Sequence, residues 1–286
     1  MENVELFKTA CGCPWRREDV LEQLQTVGAD RCDILFIHSD LMFGRPNRSL
    51  GRTGYLQELY QIFLDLKIPT LVFPGFSFSF ANHEIYDVRK SRTSMGILAE
   101  YFRTQLDVRR SLDPLLSLLV KGERTDLASG DPTAHCFGPD SGFDRLHRAG
   151  NVKFLFFGAE FAEYFTYIHY IEKVLDVPYR FDMRFSGTII DENGQAFQHT
   201  HAIHTQCGGV ELMSFAELKE DLFREGALRI APLGDGEIAC ITEEDIFQAV
   251  TDRIRRDPFS FTAPYAEKDL THEYTFGKNG ERVTHC

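Results

Sequence analysis

Apolar residues recur along this chain in two kinds of run that take turns. WRREDVLEQLQTVGAD (15 to 30) spaces them about one helical turn apart, with acidic residues near its start and a glycine close after its end, and so predicts a helix. CDILFIHSDL (32 to 41) is a short continuous apolar run ending in small polar residues, the pattern of a buried strand followed by a loop. GYLQELYQIFLDLKI (54 to 68) predicts a second helix and PTLVFPGFSFSF (69 to 80) a second strand, which together give a βαβ order.

The alternation continues. SRTSMGILAEYFRTQ (91 to 105) offers Ser and Thr caps before strong helix formers, so a helix is expected to start near Ser94. RSLDPLLSLLVKGE (110 to 123) predicts a strand, followed by a loop rich in Gly, Pro and Asp (129 to 142) and a short helix, FDRLHRAG. The strand KFLFFGA (153 to 159) and the helix FTYIHYIEKVL follow. VPYRFDMRFSGTIID (177 to 191) and QAFQHTHAIHTQC (195 to 207) alternate apolar and polar residues on either side of a reversal at Asn193 and Gly194, which predicts an antiparallel hairpin. A helix (213 to 226), a strand segment turning at GDGE (227 to 241) and a further helix (243 to 257) complete the pattern, and weak periodicity predicts an extended tail over 266 to 286. No repeat or low-complexity linker interrupts it. The expectation is a single domain spanning 1 to 286, a three-layer α/β/α sandwich around a central, largely parallel mixed sheet with an antiparallel hairpin attached.

Composition narrows the function more than the fold. The 286 residues carry 31 Lys plus Arg against 43 Asp plus Glu, a formal charge of -12, so no general attraction to nucleic acid or anionic lipid is expected. No apolar run approaches the roughly 18 residues of a membrane span and the N-terminus lacks a signal-type apolar stretch, which predicts a cytoplasmic protein without membrane partners. Seven scattered cysteines suit free thiols in a reducing compartment. Cys11 and Cys13 form CGC, too short for the usual CxxC motif, and no chemistry is expected of them. The 25 Phe residues are expected mostly in the core, with some left over for a homo-oligomer interface.

Ligands of open α/β sheets bind where strands end and helices begin, which directs attention to HSDL, GFSF, RTSMG and RSLDP. RTSMG would set Ser94 and free backbone N–H groups at a helix start able to receive a phosphate, with Arg92 and Arg110 adding charge; an ordinary capped helix is the plainer reading. Ser39, beside His38, closes the first strand in the same way. In FTYIHYIEKV, His169 and Glu172 sit together on the border of an apolar stripe, where a carboxylate would fix the imidazole tautomer and raise its basicity. That spacing alone favours two ordinary helix-border residues. His199 and His201 share a strand face while His204 points to the other unless a bulge intervenes, and no acidic or Cys partner is spaced to complete a shell. A metal site therefore ranks below a cleft lining or plain cross-strand packing, which are equally expected. No GxSxG, P-loop or GxGxxG is present.

The order of motifs resembles the antibiotic N-acetyltransferase family, which includes the aminoglycoside 3-N-acetyltransferases. ILFIHSDL is similar to its HSSL strand and loop, PTLVFPGFSFSF to its GTLVMPTF, YDVRKSRTSMGILAEYFR to its PSxMGxLxExFR helix, and RRSLDPLLSLLVKGE to its RSxHPxxSxxxxG. CFGPDSGFDRL and KFLFFGAEFAEYFTYIHYIEKVLDVPYR resemble its FGxxSPFDRL and LLLGVGxxxxTxLHxxExxxxVPYR blocks. The resemblance implies a sandwich unrelated to the GNAT acetyltransferases, with acetyl-CoA or a related short acyl-CoA as co-substrate, a small-molecule amine as acceptor and no metal. It implies that His169 is the general base, with Glu172 beside it. It places Ser39, Ser94, Met95, Gly96, Arg110 and Ser117 at coenzyme A, Ser117 also steadying the oxyanion. It sets Asp113 and Phe76 in the acceptor cleft.

One block departs from the family. HPxHS stands as DPLLS, with Asp113 and Leu116 in place of two histidines. Asp113 resembles the branch associated with surface polysaccharide biosynthesis, which implies an amino-sugar acceptor, nucleotide-linked or otherwise activated, in preference to an aminoglycoside. An aminoglycoside 3-N-acetyltransferase and a catalytically silent coenzyme A binder are the competing expectations.

Overall fold

A computed structural model describes residues 3–264, Leu270 and the backbone of two short strands, Thr275–Phe276 and Arg282–Val283. Most of the tail expected over 266 to 286 lies outside the described residues. The chain begins with β1 (Glu5–Lys8), β2 (Pro14–Arg16), α1 (Arg17–Thr26), β3 (Ile34–Ser39), β4 (Arg45–Pro46), α2 (Gly51–Asp65) and β5 (Thr70–Pro74). Then come β6 (Tyr86–Asp87), α3 (Gly96–Arg103), β7 (Arg109–Arg110), β8 (Leu118–Gly122), α4 (Gly142–Ala149), β9 (Val152–Phe157), α5 (Phe161–Tyr164) and α6 (Tyr167–Val174). The last long stretch holds β10 (Arg180–Ile190), β11 (Ala196–Gln206), α7 (Ala216–Arg224), β12 (Arg229–Leu233), β13 (Gly236–Thr242) and α8 (Glu243–Arg256).

Seven strands form the main sheet in the order β12-β13-β9-β3-β5-β8-β7. Pairing is parallel where β3 meets β9 and β5, β3 and β5 being joined through α2, and antiparallel toward both edges. The edges are hairpins because their connections are too short to cross the sheet. The period-two alternation in the strands divides the core. Ile34, Phe36, Val72, Phe154 and Phe156 face one cluster with residues of α4, α6, α7 and α8. Leu35, Ile37, Phe73, Leu155 and Phe157 face the other with residues of α1, α2 and α3. The result is the expected α/β/α sandwich of mixed sheet.

The predicted hairpin is β10 with β11, eleven residues each in unbroken register from Arg180↔Gln206 to Ile190↔Ala196. It forms a separate sheet with β6. Two expectations change. The strand expected over 110 to 123 is two short strands, because Asp113 accepts the Leu115 and Leu116 N–H groups, both at 2.8 Å, and bends the chain between them. The helix expected near Ser94 begins at Gly96, where φ is +87°, and Ser94 bonds the Phe76 carbonyl instead of capping it.

Candidate active site

A cavity of about 1440 Å³ opens where β3, β5, α3 and α6 meet the hairpin β10–β11. Single-ligand pockets measure roughly 300–1,000 Å³, so two substrates have room here. Ser39, Phe76, Ser94, Met95, Gly96 and His169 all line it, although they come from segments far apart in sequence. Gly96 is suited to its place because its positive φ favours glycine.

His169 is built into the wall by a buried ionic cluster. Its Nδ1 lies 2.8 Å from Glu172 Oε2, and Tyr179 Oη donates to Glu172 Oε1 at 2.6 Å. Arg180, at the start of β10, places Nε 2.7 Å from the same Glu172 Oε2. Burial alone would raise the Glu172 carboxyl, but Arg180, His169 and Tyr179 outweigh it and hold the group at about 2. Two groups compete for Nδ1: the Glu172 carboxylate asks for a proton there, and Arg180 Nη2, at 2.9 Å, asks for a lone pair. The shorter carboxylate contact favours the proton on Nδ1, which leaves Nε2 with a lone pair. Burial, and then the Arg180 charge, lower the His169 pKa below its ordinary value while Glu172 pulls it the other way. The ring is therefore neutral near pH 7 and able to take a proton.

Arg180 was not singled out from the sequence. It closes the VPYR block, and its guanidinium also reaches His169 Nδ1 at 2.9 Å and the His204 carbonyl at 3.3 Å. His204 follows it into the cavity wall. Its Nδ1 is 2.8 Å from Asp182, which also receives Lys173 Nζ and faces His135 Nε2. Chiefly through burial, the His204 ring is held neutral, with a pKa of about 4. Nε2 of His204 is buried without a protein partner.

Three expected site residues are placed elsewhere. Arg110 does not line this cavity: it stacks over Tyr86, donates to the carbonyls of Ser91 and Gly75, and holds Ser117 Oγ at 3.0 Å. Ser117 is fully buried and donates to the Gly75 carbonyl at 2.7 Å, so its hydroxyl is committed and cannot steady an oxyanion in the cavity. Gly75 admits this arrangement because a Cβ would stand 3.0 Å from Ser117 Oγ and 2.9 Å from Leu119. Asp113 is likewise absent from the cavity wall. Its second oxygen lies 3.2 Å from His201 Nε2, while His201 Nδ1 meets the Thr133 carbonyl at 2.8 Å.

The hairpin histidines divide as the alternation predicts: His199 and His201 both reach the Thr133 carbonyl, and His204 turns the other way. One point of that reading is corrected, since Asp113 and Cys136 do gather with His201, their ligand-type atoms within 4.8 Å of one another. The loops that bring them together could not be read from spacing. Arg92, expected near a phosphate, pairs with Glu100 at 3.4 Å.

The charge of the cavity wall runs against that of the chain. Arg45, Arg48, Arg52 and Arg180 face it, against Asp40 and Glu163. Arg48 and Arg52 lie on either side of Gly51, the first residue of the 15-residue helix α2, whose N-terminal dipole adds to the positive potential.

A two-substrate cavity with a neutral, carboxylate-oriented imidazole in its wall fits the class of group-transfer enzymes that activate a nucleophile by removing a proton. The chain belongs to the aminoglycoside 3-N-acetyltransferase family, whose model matches residues 75–255. It is accordingly an N-acyltransferase that moves an acyl group from an acyl-CoA to an amine. No curated protein sequence matches the chain.

Solved structures share its fold. Aminoglycoside acetyltransferase AAC(3)-IVa, as the apoenzyme, superposes with a TM-score of 0.68 at 22% identity over 89% of this chain and 94% of its own. AAC-IIIb, in a binary complex with CoASH, gives 0.68 at 19% identity over 87% and 98%. The YokD protein from Bacillus subtilis gives 0.68 at 18% identity over 87% and 94%. Among the described residues no helix is long and apolar enough to cross a membrane.

Proposed function

We propose that this chain, acting as one domain, acylates the amine of a nucleotide-linked amino sugar of the kind consumed in surface glycan assembly, with His169 as general base. The single observation that carries the acceptor class is the cavity wall, where Arg45, Arg48 and Arg52 face Asp40 and Glu163, and a fourth arginine, Arg180, is balanced by Glu172, in a protein of net charge -12. Coenzyme A and a sugar nucleotide are both polyanions, and such a wall attracts both; a polycationic aminoglycoside would be repelled by it. The exposed Arg45, Arg48 and Arg52, with the start of α2, would take phosphate oxygens on one side of the cavity.

On the other side the acceptor amine would lie against His169 Nε2. That nitrogen takes the proton as the amine attacks the thioester carbonyl. The resulting imidazolium is stabilised by Glu172 and returns its proton to the departing coenzyme A thiolate. Arg180 keeps Glu172 ionised throughout, so the carboxylate orients the ring without itself gaining the proton. Ser39, Ser94, Met95 and Gly96 would line the path of the acyl-CoA arm, and Phe76 the acceptor end.

A second reading, acylation of an aminoglycoside, is favoured by the family to which the chain belongs. Loss of thioester absorbance from acetyl-CoA separates the two when the protein meets parallel panels of nucleotide-linked amino sugars and aminoglycosides. Turnover confined to the sugar nucleotides is expected; turnover confined to aminoglycosides would overturn the acceptor assignment.

A further inference from the structure

The turn between β1 and β2 holds the sequence Thr-Ala-Cys-Gly-Cys, and its two thiols lie side by side. Cys11 Sγ is 3.4 Å from Cys13 Sγ, and both residues are exposed. The turn is tightly closed: Thr9 N–H donates to the Cys13 carbonyl at 3.0 Å, Gly12 N–H to the Thr9 carbonyl at 2.9 Å, and Cys13 N–H to Thr9 Oγ1 at 3.0 Å. Gly12, at φ +87°, supplies the left-handed residue that folds one sulfur back toward the other. Ala10 N–H is tied to Asp235 at 2.7 Å, which pins the turn to the body of the protein.

The surroundings favour a thiolate at one of the two sulfurs. Thr9 Oγ1 lies 3.0 Å from Cys11 Sγ, and the Thr9 and Cys13 side chains both lower the Cys11 pKa. The thiolate is the reactive form in exchange chemistry. The other described cysteines are different. Cys32, Cys136, Cys207 and Cys240 are buried, and burial raises all four, Cys32 and Cys240 to about 12. Reactivity toward solutes is therefore concentrated in this one turn among the described residues.

We propose that Cys11 and Cys13 form a dithiol exchange site that reacts with low-molecular-weight disulfides of the glutathione type and closes to an intramolecular disulfide. The Cys11 thiolate attacks one sulfur of the disulfide, forming a mixed disulfide and expelling one thiolate. Cys13 then attacks Cys11 Sγ, closing the Cys11–Cys13 bond and expelling the second. The two cysteines lose two electrons and two protons, and the small disulfide becomes two thiols. Closure requires the sulfurs to approach from 3.4 Å to about 2.05 Å. This site is independent of the acyl-transfer reading.

The test uses the full chain with Cys286→Ser, since Cys286 lies outside the described residues. The protein is incubated with glutathione disulfide, alkylated and mapped by peptide mass. The expected result is a peptide carrying both cysteines that has lost two hydrogens and takes up no alkylating reagent until dithiothreitol is added. Cys13→Ser should stop at a stable glutathione adduct on Cys11. Two results would overturn the proposal: both cysteines alkylated as in untreated protein, or a glutathione adduct that persists in the parent chain with Cys13 intact. Trp15, the one tryptophan of the chain, stands two residues from Cys13 and reports by fluorescence that the hairpin stays folded throughout.

Discussion

Arg180 Nε stands 2.7 Å from Glu172 Oε2, and both side chains are withdrawn from solvent. Removing one partner leaves a buried charge alone. Glu172→Gln should therefore cost about 3–5 kcal/mol in urea unfolding. The double variant Glu172→Gln with Arg180→Met should recover much of it, because it removes the orphaned charge as well. A single variant as stable as the parent would show that the pair does not hold α6 to β10.

The same pair sets a pH dependence of stability. The Glu172 carboxyl is held at about 2 in the folded protein, against about 4.3 in an unfolded chain. Its contribution is complete above the unfolded value and is lost as pH falls from about 4.3 toward about 2. Acid titration of the parent should thus show a loss of stability in that window that Glu172→Gln does not share.

His169 should titrate below the ordinary imidazole value, since burial and then Arg180 both disfavour its charged form. Removing the cation by Arg180→Met leaves Glu172 unopposed and should move the His169 transition to higher pH. NMR titration of the ring reads this directly, without interference from the acceptor amine. A transition that moves down instead would refute the electrostatic role given to Arg180.

Ser117 separates the geometry from the expectation raised by the family resemblance. Its hydroxyl is spent between Gly75 and Arg110, so Ser117→Ala should leave kcat within a few-fold of the parent. It should cost about 1–3 kcal/mol of stability, because the buried Arg110 Nε loses its acceptor. A large fall in kcat with unchanged stability would return Ser117 to the oxyanion.

The parts of this molecule that were legible in the sequence are those governed by local spacing. Strands β3, β5 and β9 announce themselves as continuous apolar runs because both faces of the central sheet are covered. The hairpin β10–β11 follows from alternation around Asn193 and Gly194. The His169–Glu172 contact follows from helical spacing, with the resemblance adding its role.

What stayed hidden depends on loops and on pairs distant in the chain. Asp113 meets His201 only because the chain bends before β8 and the hairpin folds over it. Arg110 looked like a phosphate ligand because its positive charge could be read but its three acceptors within the protein could not. Arg180 escaped notice for the converse reason: nothing in VPYR shows that a guanidinium will lie against two imidazole-bearing residues. His204 was weighed as a metal ligand and as a lining of the cleft, but its contact with Asp182 and its neighbour Arg180 depend on the fold.

The most direct test of the account compares the parent chain with His169→Ala for acetyl-CoA thioester cleavage, using an acceptor identified from the panel of nucleotide-linked amino sugars. Coenzyme A affinity is measured alongside. General-base catalysis typically supplies about 10² to 10⁴ of the rate, so kcat should fall by that factor with coenzyme A binding nearly unchanged. Near-parental turnover by His169→Ala would contradict the central claim.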